Sequence, residues 1–113
     1  MAEKRYAMIS QPMNGLEDYQ IKATKAKATK ALETKGYEVL NTLFEGEWAN
    51  NDNLRANGFV NIPVAFLAKS IESMAKCDAV YFCDGWEKAR GCIIEHQVAQ
   101  SYGLDVFYET PTV

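Results

Sequence analysis

Glu95 is the side chain whose surroundings say most about chemistry. At helical spacing it has Gly91 and Cys92 one turn back and Val98 and Ala99 one turn on. A carboxylate among small and apolar neighbours faces a core rather than water. An unpaired buried charge is costly, so such a group has either a partner or a task. The plainer alternative is a carboxylate bonded to backbone near the start of its helix. Two further acids, Asp78 and Asp84, bracket the apolar run A-V-Y-F-C. Asp78 opens that run and Asp84 closes it. In a parallel sheet the closing end is the ligand end, so Asp84 is the better placed of the two, and each also reads as a simple turn acid. His96 is the single histidine, which leaves little room for imidazole-centred catalysis. Cys77, Cys83 and Cys92 contain no C-x-x-C pair. They read as reduced thiols in a cytoplasm rather than a disulfide framework or a metal site, and no metal and no cofactor is expected.

Two loops carry the remaining candidates. Ser10-Gln11-Pro12-Met13-Asn14-Gly15 follows the first apolar run, and Gly85-Trp86 with Arg90-Gly91 frames the second loop. A tryptophan above a sheet either stacks on a base or packs on the protein. An arginine at a helix N-terminus opposes the dipole unless an anion or carbonyl sits nearby, an arrangement suited to phosphate. Neither loop holds G-x-G-x-x-G or G-x-x-x-x-G-K-[ST], which rules out Rossmann and P-loop phosphate binding.

The elements that must position these residues follow from the pattern of apolar runs. Arg5–Ser10, 37–40, 78–83 and 104–108 are short apolar runs that suit buried strands. The stretch 17–35 is rich in Ala, Lys and Glu and reads as a helix with Ile21, Thr24, Ala28, Ala31 and Leu32 on one side. Its lysines form a solvated face. Asn61 caps a second helix, over 62–76, with Ile62, Phe66, Leu67, Ile71 and Met74 as its stripe. A third helix covers 89–102. Residues 41–60 are irregular and too long for an idle connector, so they form a functional flap or contain a short helix. Strands alternating with helices predict an α/β fold, a doubly wound, flavodoxin-like parallel sheet of four strands in the order 2-1-3-4. Its switch point lies between the first and third strands, where both candidate loops meet.

The chain has 113 residues, enough for one core and one domain. Its formal net charge is -3, from 12 basic and 15 acidic residues, which speaks against nucleic acid as the main partner. No apolar run of about 18 residues spans a membrane, and the first residues lack a signal-peptide core. The 62–76 helix is apolar beyond the face one sheet requires, which predicts a homodimer or larger homo-oligomer through that helix.

The segment Ile9-Ser10-Gln11-Pro12-Met13-Asn14-Gly15 resembles the first-strand loop "ISGPMTG" of the nucleoside 2-deoxyribosyltransferase-like superfamily, and of its small DUF4406-type members from phages and bacteria. Cys77-Asp78-Ala79-Val80, followed by Gly85-Trp86-Glu87-Lys88-Ala89-Arg90-Gly91 and by Glu95, Ala99 and Gly103, is similar to the second signature of that superfamily. The resemblance implies that Glu95 is a nucleophile that attacks the anomeric carbon of a ribose or deoxyribose and displaces the base. It matches Asp78 to the strand aspartate of the superfamily, and leaves Asp78 or Asp84 to protonate the leaving base. Gln11 stands where relatives have glycine, and Ala89 where they have serine. Both changes fall where a nucleoside monophosphate would be held. Two readings therefore follow: cleavage or transfer of an N-glycosidic bond in a nucleoside or nucleotide, or binding and sequestration of an ADP-ribose-derived or cyclic nucleotide signal without turnover, as in phage anti-defence. A purely structural interaction module would leave the loop motifs unexplained.

Overall fold

In the computed structural model the described residues are 4–13, 15–40 and 51–109. Four strands, β1 (Arg5–Ser10), β2 (Tyr37–Val39), β3 (Ala79–Phe82) and β4 (Asp105–Tyr108), form one parallel sheet in the order β2-β1-β3-β4. The helices are α1 (Asp18–Thr34), α2 (Asn51–Ala56), α3 (Ile62–Met74) and α4 (Arg90–Ser101), with a 3₁₀ turn at Trp86–Lys88. The expected architecture and strand order hold. Residues 51–60 carry the short helix α2, whose Leu54 is buried. The rest of the expected flap, 41–50 with Trp48, lies outside the described residues.

Side-chain alternation along the strands divides the core in two. Ala7, Ala79, Tyr81 and Cys83 meet Ala28 and Leu32 of α1 on one face. Met8, Val80 and Phe82 meet Met74, Cys77 and Ala99 on the other, the side of α3 and α4. Ser10 has the parity of Met8, so its hydroxyl points toward α4. On α4 the buried positions are Cys92, Glu95 and Ala99, one stripe at helical spacing. Parity on β1 and periodicity on α4 together bring Ser10 and Glu95 face to face.

α3 departs from its expected stripe. It buries Ala65, Ser73 and Met74, while Ile71 is exposed and Phe66 and Leu67 are half-buried. Small side chains let the helix lie close to its neighbours, and the Ser73 hydroxyl satisfies itself on the Lys69 carbonyl at 3.2 Å. The larger apolar side chains are left to line the space beside α4. The helix start is as expected, with the Asn61 side chain accepting from the Val64 N–H at 3.1 Å. No helix among the described residues is long and apolar enough to cross a membrane.

Candidate functional site

Three recesses meet at Glu95. One, of about 660 Å³, lies between the N-terminal halves of α3 and α4, lined by Asn61, Phe66, Leu67, Ser70 and Arg90. A small one, of about 90 Å³, lies beyond the carboxyl ends of β1 and β2 and is lined by Ser10, Gln11, Leu40 and Ser70. A broad groove of about 900 Å³ runs between the two loops, past Pro12, Met13, Asp84, Gly85 and Arg90. This is the carboxyl end of the sheet at the β1/β3 switch point, the place an open α/β sheet offers to a ligand.

Glu95 is 7% exposed, and its Oε1 accepts a hydrogen bond from the Ser10 hydroxyl at 3.1 Å. Its other oxygen has no hydrogen-bond partner among the described residues, while the carboxylate borders all three recesses. Burial pushes the carboxyl from its ordinary 4.5 up to about 7, and the Ser10 hydrogen bond pulls the other way. At neutral pH the group is poised between acid and carboxylate, able to give a proton, take one, or attack an electrophilic carbon. Ser10 itself is 2% exposed. Neighbouring Cys92 is buried, and burial raises its thiol pKa, against the effect of its hydrogen bond with Ser10. Burial likewise pushes Cys83 up to about 12, so neither thiol is a ready nucleophile.

The two loops touch. Gly85 has a φ of +87°, and a side chain there would sit 3.5 Å from the Pro12 ring. Gln11 lines the groove, and its amide Nε2 donates to the Ile21 carbonyl of α1 at 2.8 Å. Met13 and Gly15 are exposed, and Asn14 lies outside the described residues. Arg90 and Gly91 line both larger recesses, Arg90 as the first residue of α4. Trp86 is committed to packing. Its ring stacks on His96 at 4.1 Å and lies 5.4 Å from Phe82, and the His96 Nε2 is 2.6 Å from the Tyr108 hydroxyl.

The acids separate. Asp84 lines the groove at the Glu95 end, with its backbone N–H donating to Glu109 Oε1 at 2.8 Å. Asp78 stands at the other end of the sheet. Its Oδ2 accepts from the Tyr6 N–H at 3.2 Å, and its own N–H donates to the Tyr6 carbonyl at 2.7 Å. Tyr6 precedes Ser10 by four positions on β1, which puts Asp78 about 13 Å from the Glu95 end at the usual rise per residue. The structure therefore brings Ser10, Gln11, Pro12, Met13, Asp84, Gly85, Arg90 and Gly91 around Glu95, and leaves Asp78 outside that group.

Five residues enter that sequence reasoning did not place at the site. Asn61, Phe66 and Leu67 form the α3 wall, and Ser70 borders two recesses. For Ser70 the signal was present, as a hydroxyl set into an otherwise apolar stretch of helix. Glu109 is the fifth. It holds the Asp84 backbone and also pairs with Lys27 at 3.0 Å. The Asp84 N–H, followed by Lys27, holds its carboxyl below the ordinary range.

Residues 5–108 match one family model, which covers both loops, the sheet and α4. The chain belongs to the DUF4406 family, a domain of unknown function. No curated protein and no solved structure matches it. The site of this DUF4406 domain thus rests on its own geometry. Among the described residues no group of three His, Cys, Asp or Glu side chains is placed to hold a metal ion.

Proposed function

We propose that this DUF4406 domain binds a nucleoside or nucleotide at the carboxyl end of its sheet and cleaves or transfers its N-glycosidic bond. Membership of the nucleoside 2-deoxyribosyltransferase-like superfamily, suggested by the loop motifs, is part of the proposal. The observation that carries it is Glu95: a buried carboxylate, held by one serine, at the meeting point of three recesses. In the ionised form a Glu95 oxygen attacks the anomeric carbon. The C–N bond breaks and its electron pair leaves with the base, which takes a proton from Asp84 or solvent. Water, or a second base, then attacks the glycosyl ester and frees Glu95. Arg90, at the start of α4, would meet an anionic group of the ligand.

The test is release of free base from nucleosides, nucleotides and NAD derivatives, followed by chromatography. The expected result is base release that rises with pH through about 7, as Glu95 ionises. A second reading, retention of an intact ADP-ribose-derived or cyclic nucleotide, is favoured by one fact. Glu95 is the only buried carboxylate among the described residues, so no second acid is shielded beside it. Tight binding with no free base at any pH would decide for that reading.

We also infer that the domain self-associates through α3 and works in the reducing cytoplasm, where its three free thiols would persist. Val64 is 56% exposed and Ile71 36%, two turns apart on one face of α3, and Val60, just ahead of the helix, is 93% exposed. Light scattering should show a dimer or larger closed oligomer, and Ile71→Glu should give monomers. A clean monomer mass for the wild type removes this inference and leaves the site untouched.

A further inference from the structure

The six Ser and Thr side chains on the described helices divide evenly: Thr29, Thr34 and Ser73 bond locally, Thr24, Ser70 and Ser101 do not, and of these last three only Ser70 lines a recess at Glu95. The hydroxyls of Thr29, Thr34 and Ser73 each donate to the carbonyl four residues back, at 2.8, 2.9 and 3.2 Å. That local bond is the usual way such a residue satisfies itself inside a helix. Ser70 lies one turn before Met74 on α3 and does not use it. Its hydroxyl has no hydrogen-bond partner among the described residues, and its side chain is half-buried. It lines both the 660 Å³ recess and the 90 Å³ one, and Glu95 is the other polar side chain of the helix layer that lines the same two. A hydroxyl with no partner of its own, set in an apolar helix between two recesses and across from a buried carboxylate, is available to a ligand.

We propose that Ser70 hydrogen-bonds the sugar hydroxyl next to the anomeric carbon, so that the site prefers ribosyl over 2-deoxyribosyl ligands. The proposal rests on the nucleoside reading of the Glu95 site and names its sugar. For attack, the anomeric carbon must come within about 3.5 Å of a Glu95 oxygen. The ring carbon bonded to it then carries its substituent into the space that Glu95 and Ser70 share. In ribose that substituent is a hydroxyl, able to accept from or donate to Ser70, and in deoxyribose it is hydrogen. A ligand without the hydroxyl leaves Ser70 unpaired and loses the discrimination that a placed hydrogen bond provides. Ser70 is a specificity residue here, since it touches the ligand and takes no part in breaking the bond.

The experiment titrates wild type, Ser70→Ala and Ser70→Thr by calorimetry with adenosine, guanosine, cytidine and uridine. Each is paired with its 2′-deoxy counterpart, and D-ribose 5-phosphate is paired with 2-deoxy-D-ribose 5-phosphate. Alanine is the best helix former and the position is only half-buried, so Ser70→Ala keeps the fold, and circular dichroism verifies it. Wild type should bind the ribo member of the binding pair about ten-fold tighter, in line with one hydrogen bond. Ser70→Ala should bind both members alike, at the wild-type deoxy affinity, and Ser70→Thr, which keeps the hydroxyl, should retain a preference. If wild type binds a pair without preference, or Ser70→Ala keeps the preference, the Ser70 proposal falls and the Glu95 reading stands. If no member of any pair binds, the Ser70 proposal falls, and the Glu95 reading is decided by base release from nucleotides and NAD derivatives.

Discussion

The two ends of the sheet handle charge in opposite ways. At the amino end several exposed charged groups of the described residues are shared between strands. Lys4 pairs with Glu38 at 3.3 Å, Arg5 with Asp105 at 3.3 Å, and the Tyr37 hydroxyl donates to Asp105 at 3.0 Å. The Arg5 guanidinium lies 4.4 Å over the Tyr37 ring, and Asp78 holds the Tyr6 N–H. These contacts tie β1 to β2, β3 and β4, and each exposed pair contributes only about 0–1 kcal/mol. At the carboxyl end Glu109 is similarly paired, with Lys27 and the Asp84 backbone. Glu95 is the exception, buried with one hydrogen bond and no paired cation among the described residues. Charges at the amino end follow the register of the strands and work with it. The charge at the carboxyl end works against folding, and it is on this cost that the proposed role of Glu95 draws.

The largest effect expected from this contrast is on turnover. Glu95→Gln keeps the shape and removes the nucleophile, so base release should fall by roughly 10⁴-fold or more, while the circular dichroism spectrum stays unchanged. Undiminished release would remove Glu95 from the mechanism and with it the functional difference between the two ends.

The second effect is on stability and runs in an unusual direction for an acid. The folded pKa of Glu95 is raised to about 7 against an unfolded value near 4.5. Between those values the folded state holds a proton that the unfolded state has lost. Stability should therefore fall as pH rises from about 4.5 to about 7 and level off above. The full loss is about 3 kcal/mol at 1.36 kcal/mol per pKa unit. Thermal melts across this range should show the fall in wild type and its absence in Glu95→Gln, which should be the more stable protein at pH 8. A wild-type melting curve independent of pH would mean that Glu95 is solvated, and the contrast between the ends would dissolve.

Much of this was legible before the structure. Short apolar runs alternating with helices leave few topologies for a parallel sheet, and the small neighbours of Glu95 announced its burial. Three things were not. α3 is apolar nearly all round, so periodicity could not say that Ala65 and Met74, rather than Ile71, would be buried. The place of Asp78 was split between two readings, strand direction setting it away from the ligand end and the resemblance matching it to a site residue, and its bonds to Tyr6 keep it at the amino end. Trp86 had two uses open to it, and the tertiary meeting of Phe82, His96 and Tyr108 decided for packing.

A smaller effect separates the Ser10 hydroxyl from mere packing. Ser10→Ala removes the donor to Glu95 Oε1 and leaves a buried oxygen without its partner. The bond favours the charged form, so its loss moves the Glu95 pKa further up. The pH at which base release reaches half its maximum should shift upward, and stability above pH 7 should drop by about 1–3 kcal/mol. A lowered rate with an unmoved pH profile would make Ser10 a packing residue only.

The smallest effect belongs to Asp78, and it tests the other half of the contrast. Its carboxylate bonds one exposed backbone N–H, and the strand pairing around it remains when that bond is lost. Asp78→Ala should therefore cost about 1 kcal/mol, read as a lower denaturant midpoint with an unchanged slope. Because Asp78 stands about 13 Å from the Glu95 end, base release by the folded variant should match wild type across the pH range. A pH profile altered in the acid limb would instead make Asp78 a proton donor to the leaving base. The ligand would then have to reach round to the amino end of the sheet, a path that none of the recesses at Glu95 provides.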